Sequence, residues 1–265
     1  MPRRSADSCR YVARVPPPIR LRAPEPPRVP AGLEAAAPVL EDGAWIAEVA
    51  VEDLAAAAPS ARGVEIRAAR LTRCDLAGAR LPRAELRDVA AQRCSLANAV
   101  LEDAALVRVA FEGCRMTGAV LSRCTLEDVV FRDCLLDLAS LQDCRLRRVA
   151  FEGCVLRDTE LEGSSLDATR FERCDLTGAS FRGARFHAGE LRECALEDLQ
   201  GVEGLRGAAL ARARRAGGHA GRRARDRGAR GRRALTRARR RARLSRRRCP
   251  SAGRCRRRAG RATGR

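Results

Sequence analysis

The chain has 265 residues and a formal net charge of +20, and all 53 of its basic residues are Arg. Only 3% of residues are aromatic while 45% are apolar, so neither an aromatic-rich core nor a chain disordered throughout fits the composition. No apolar run reaches the roughly 18 residues of a transmembrane helix, so no membrane span is expected. The charge is unevenly placed. Residues 1–60 sum to about −1 and residues 61–210 to about −2, while residues 211–265 carry 24 Arg against one Asp. Residues 1–43 form a Pro- and Arg-rich arm. Its start is cationic like a signal peptide but lacks the apolar segment, so a cytoplasmic location is expected. Residues 15–30 read as extended, polyproline-like chain, and both termini are expected to be disordered.

Residues 44–200 carry an internal repeat. From Ile66 to Leu196 a large apolar residue recurs every five positions, with Ala91 the single small exception. Two residues before each stands a small or β-branched residue, and the other positions are mostly polar. A period of five fits neither an α-helix nor a flat strand, because a strand would throw alternate Leu to opposite faces. A chain that turns a corner every five residues keeps all of them inside. The spacing also predicts 20-residue coils. Cys74, Cys94, Cys114, Cys134, Cys154, Cys174 and Cys194 form one column, and Phe111, Phe131, Phe151 and Phe171 another. The phase extends backwards through Ile46 and Val51, which predicts a degenerate first coil capped around Trp45.

Units such as CDLAG (74–78), CSLAN (94–98), CTLED (124–128) and CDLTG (174–178) resemble the pentapeptide-repeat family. The resemblance implies an all-β fold, a right-handed quadrilateral β-helix with four pentapeptides per coil. It also implies a non-enzymatic scaffold for protein–protein interaction. Some members of that family are acidic DNA mimics that bind the type II topoisomerase gyrase, which gives a second reading with gyrase as partner. A homodimer is a further option, and otherwise the protein partner is unknown.

Nine Cys occupy the small inward position, where a thiol packs as a small hydrophobe. No metal site, cofactor site or catalytic constellation is read from the sequence, and paired carboxylates such as Glu102–Asp103 follow from the repeat itself. The outward residues of the face holding the Cys column sum to about −4, with Asp75, Asp137, Asp158, Asp175, Glu197 and Asp198 against Arg115 and Arg157. These six acids are the candidate interaction face. Leu136 is assigned inward and Leu138 outward.

The phase breaks in residues 201–210, which are rich in Gly and are assigned as the end of the solenoid. Residues 211–265 cannot bury enough apolar area to offset ordering entropy. They read as a disordered Arg tail that binds nucleic acid without sequence choice, through residues such as Arg222, Arg223, Arg232, Arg233, Arg246, Arg247 and Arg248. The competing reading is GC-rich DNA translated out of frame, which also yields Arg, Ala and Gly. Mass spectrometry of the native protein separates the two: recovery of the peptide Cys249–Arg254 establishes the tail, and its consistent absence beside well-covered solenoid peptides supports a shifted frame.

Overall fold

A computed structural model describes residues 21–55 and 58–211. One local device sets its backbone. From Gly43 to Asp198 every fifth residue lies in the left-handed region, with φ between 43° and 73°. Gly, Asn and Asp enter this region readily, yet Arg does so at 73, 83, 93, 108, 123, 148 and 173. Hydrogen bonds between coils hold the corners. The Arg73 N–H donates to the Gln92 carbonyl, that of Arg123 to Gln142 and that of Asp143 to Glu162, each at 2.9 Å. Four such corners divide every 20-residue coil.

The strands are β1 (Glu34–Ala35), β2 (Trp45–Ala47), β3 (Val49–Glu52), β4 (Glu65–Thr72), β5 (Glu85–Gln92), β6 (Ala105–Glu112), β7 (Thr125–Arg132), β8 (Arg145–Arg147), β9 (Ala150–Glu152), β10 (Ser165–Glu172), β11 (Arg185–Arg192) and β12 (Ala208–Ala211). All pair in parallel. The register advances by 20, so Ile66 lies beside Leu86 and Leu86 beside Leu106. The long strands bend through a corner and cover two sides of the coil. The other two sides pair through single residues, such as Asp75 with Ser95 and Arg80 with Val100. The fold is the expected all-β solenoid.

Like stacks on like inside. The rings of Phe111, Phe131, Phe151 and Phe171 lie 5.1, 4.8 and 4.8 Å apart and nearly parallel, which is the spacing of neighbouring strands. Phe181 meets Phe171 edge-on and, with Phe186, closes the ladder. Leu136 is fully buried and Leu138 exposed, as assigned. The nine described cysteines are buried and free. They do more than fill space: each thiol donates to a carbonyl of the coil beneath, as Cys154 does to Phe131 at 3.3 Å and Cys124 to Leu101 at 2.7 Å. Thr159 and Ser164 make the same bond with hydroxyls, to Leu136 at 3.0 Å and Leu141 at 2.6 Å.

The two ends depart from expectation. The first coil exists, but Trp45 does not cap it. Its ring stands exposed at the side, with the Arg67 guanidinium 4.7 Å from its centroid. The edge of β3 is closed by β1, which pairs Glu34 with Val49 and Ala35 with Ala50. At the other end the out-of-phase residues 201–211 still pair with the coil before them and carry the last described strand. A 3-10 turn at Val202–Leu205 replaces one corner segment, and β12 pairs with β11 one residue out of phase, Leu191 beside Leu210. The N-terminal arm is a correction too. Disorder was expected for both termini, but residues 21–43 are held against the solenoid, as described below. Residues 1–20 and 212–265 lie outside the described residues.

Two measurements test this core. Leu136→Asp leaves an unpaired charge among stacked Leu and is expected to lower stability by more than about 3 kcal/mol, whereas Leu138→Asp stays within about 0.5 kcal/mol in urea titrations. Burial pushes the Cys74 and Cys174 thiols up. All nine described cysteines are shut off from solvent, so a thiol reagent is expected to leave them unmodified until the chain unfolds.

Candidate functional site

The corners project their side chains outward, so each corner column is a line of surface residues 20 positions apart. On the face of the Cys column, the six acids of the candidate site do not form one group. Asp75 and Asp175 share a column, but Ser95, Arg115, Leu135 and Val155 stand between them. Asp75 is occupied locally, accepting the Ala77 N–H at 3.1 Å. The other five gather over the last coils, with Glu197 and Asp198 exposed at the far end.

Asp137, Asp158 and Asp175 surround one cation. The Arg157 Nε donates to Asp175 at 2.7 Å, and Asp137 and Asp158 add to the field that keeps the guanidinium charged. Burial works upward on Asp175, but the Thr177 hydroxyl and N–H, at 2.7 and 3.2 Å, and Arg157 outweigh it and hold the carboxyl below its usual range. Asp158 lies over Gly178, where any Cβ would run into its carboxylate. Asp137 has the opposite environment. Burial pushes its carboxyl up against the pull of Arg157, with Asp175 and Asp158 adding to the rise, and its Oδ1 is buried without a hydrogen-bond partner.

Beside this cluster stands an apolar pair. Leu138 is 63% exposed and Leu135 42%. Leu138 sits in the left-handed region, φ 58°, in a column otherwise made of Ala58, Gly78, Asn98, Gly118, Asp158, Gly178 and Asp198. A long apolar side chain therefore takes a strained corner that small or polar residues fill elsewhere. The acid count by face overlooked Leu135, although it is a large apolar residue in a column of outward positions.

A second arrangement was not foreseen. On another corner column Asp88, Arg108, Asp128 and Arg148 alternate. Arg108 grips Asp88 through two bonds at 2.7 and 2.6 Å, and Arg148 grips Asp128 likewise. The Arg148–Asp128 pair is nearly buried, with side chains 13% and 5% exposed. The arm lies across it: the Glu25 N–H donates to Asp128 at 3.1 Å and the Arg28 N–H to Asp88 at 3.0 Å. Arg222, Arg223, Arg232, Arg233, Arg246, Arg247 and Arg248 lie outside the described residues. Among the described residues, no helix is long and apolar enough to cross a membrane.

Left-handed corners at every fifth residue, parallel pairing at a 20-residue register and a closed side-chain core define a β-solenoid repeat protein that presents columns of surface residues. A family model described as pentapeptide repeat region matches residues 64–141, 104–181 and 124–201. The chain belongs to the pentapeptide-repeat family. Among solved structures it is similar to a trypsin-treated variant of QnrB1, a plasmid-mediated fluoroquinolone resistance protein, at 16% identity and TM-score 0.45 over 63% of this chain and 91% of that one. Full-length QnrB1 matches at 17% identity and TM-score 0.30 over 63% and 92% of the two chains. Rfr23, a pentapeptide repeat protein from the cyanobacterium Cyanothece 51142, matches at 18% and 0.20 over 55% and 91%. No curated protein matches the chain.

The half-buried Asp137 carboxyl gives a pH test. Its raised value means that ionisation opposes folding, so its contribution to stability is present in acid and lost as pH rises through the folded value. Asp137→Asn is therefore expected to raise the urea midpoint at neutral pH, and the gain is expected to vanish below about pH 4, where the aspartate is neutral in both states.

Proposed function

We propose that the chain is a non-enzymatic pentapeptide-repeat scaffold of the cytoplasm that binds a protein partner through the face around Leu138. The observation that carries this reading is the exposed Leu138 on a left-handed corner, beside Leu135 and next to Asp137, Asp158 and Asp175. An exposed apolar spot rimmed by carboxylates fits a partner that offers an apolar side chain with cations near it. The interior supports a non-catalytic role, because stacked Leu, Phe and Cys fill it and leave the chemistry to the surface.

Mimicry of duplex DNA toward gyrase is the weaker reading. A mimic needs an unbroken line of negative charge. Here Arg73 bonds Asp53 at 2.6 Å, Arg123 bonds Asp103 at 2.9 Å, Arg132 stands between Glu112 and Glu152, and Arg157 sits among three aspartates. Each breaks the line.

Immobilised full-length chain and its Leu138→Asn variant, each exposed to lysate and crosslinked, test the scaffold. Asn98 already occupies the equivalent corner, so the variant keeps the fold. A partner crosslinked near residue 138 of the parent and lost from the variant is expected; partners identical for both would remove this face from consideration. In a supercoiling assay with gyrase, a chain ending at Ala211 is expected to leave the rate unchanged at micromolar protein.

A further inference from the structure

The arm and the column beneath it fit by count as well as by shape. Pro24, Pro26, Pro27 and Pro30 have no N–H, so Pro24–Pro30 retains only the donors of Glu25, Arg28 and Val29. Two of these three donate to the solenoid, Glu25 to Asp128 and Arg28 to Asp88. Prolines fill the positions between, where any other residue would bring a further N–H. A polyproline helix advances about 9.3 Å in three residues. Asp88 and Asp128 stand two coils apart, about 9.6 Å at the 4.8 Å spacing of the Phe ladder. The rise of the peptide and the pitch of the stack are thus commensurate, and the face reads backbone donors three residues apart.

Arg108 and Arg148 prepare the acceptors. Each holds its aspartate by two bonds from the neighbouring coil, so the oxygen that takes the arm is already oriented. The arm is held lightly in return. The Arg22 and Arg28 side chains lie mostly in solvent and form ion pairs with Glu25 of the arm, acting on Asp128 and Asp88 only through their field, and no described residue before Ala31 is buried. A ligand held by two backbone donors, on a face shaped for it, is exchangeable.

We propose that the Asp88–Arg108–Asp128–Arg148 column is a docking groove for a polyproline-II peptide with N–H donors three residues apart, and that the chain's own arm is its resident ligand. The peptide class is a proline-rich segment of the pattern Pro-x-Pro-Pro-x, with x supplying the donors. This surface is distinct from the Leu138 face, and the inference does not depend on what that face binds.

The test uses the full chain and a fluorescent peptide of residues 21–31. The resident arm is disarmed in place by Glu25→Pro/Arg28→Pro, which removes both donors, keeps the extended conformation and changes no residue of the coils. Peptide anisotropy is expected to show saturable binding to this variant, about tenfold tighter than to the parent chain, where the tethered arm competes. Adding Asp88→Ala/Asp128→Ala to the variant is expected to abolish binding. The column already carries Ala at 68, 168 and 188 in the same backbone conformation, and because Arg108 and Arg148 lose their partners, a matched chain that also carries Arg108→Ala/Arg148→Ala is expected to fail to bind as well, with the circular dichroism spectrum of each chain required to match the parent. Asp103→Ala on a corner away from the arm is expected to change nothing. A peptide carrying the same two Pro substitutions is expected not to bind. The proposal is overturned if the disarmed variant fails to bind the parent peptide, or if binding survives either loss of the two aspartates or loss of the peptide donors.

Discussion

A left-handed residue at every fifth position cannot be held by its own conformational preference when it is Arg or Leu, so each corner depends on the coil stacked next to it. The bond from the corner N–H to the following coil supplies that support, and everything else in the solenoid is a consequence. Corners at fixed intervals bring residue i over residue i+20. Stacking then rewards identical neighbours, which is why Phe ladders and Cys columns form. Corner side chains must point outward, so the surface is written in columns as regular as the core.

Those surface columns differ in what they contribute. Pairs such as Arg73 with Asp53 and Arg123 with Asp103 are solvated, and bonds of that kind add little to stability. They secure Arg at corners rather than stabilise the whole. Where the arm lies over Asp128 and Arg148, the pair is nearly shut off from water. Leu138 departs from both patterns, since it neither pairs with a charge nor turns inward. The proposed partner face rests on that departure.

Much of the fold was legible because the repeat converts sequence spacing directly into position. The inward Leu136, the outward Leu138, the Cys column and the first coil before Val64 all follow from counting in fives and twenties. What failed was information that counting discards. Summing charge by face ignored position along the axis, so Asp75 was grouped with Asp175 although five coils part them. Asp88, Arg108, Asp128 and Arg148 cancel in any such sum, yet their alternation makes the seat of the arm. The thiols were read as filler because their carbonyl acceptors lie 23 residues away, a separation with no local signature. The break of phase after Gln200 hid the last strand, because a 3-10 turn closes the coil with 19 residues instead of 20 and pairing resumes.

The arm also imposes an order in time. Glu25 is 103 residues before Asp128, and Arg28 is 60 before Asp88. During synthesis the arm emerges first and has nowhere to settle until the middle coils have been translated and stacked. Contacts of such separation close only after the intervening chain is made, so the arm docks after the coils carrying Asp88 and Asp128 although it is made before them. Its prolines keep it extended meanwhile, and they deny it the backbone donors with which a waiting segment would join a strand edge. A docked arm is therefore a record that the stack beneath it is complete.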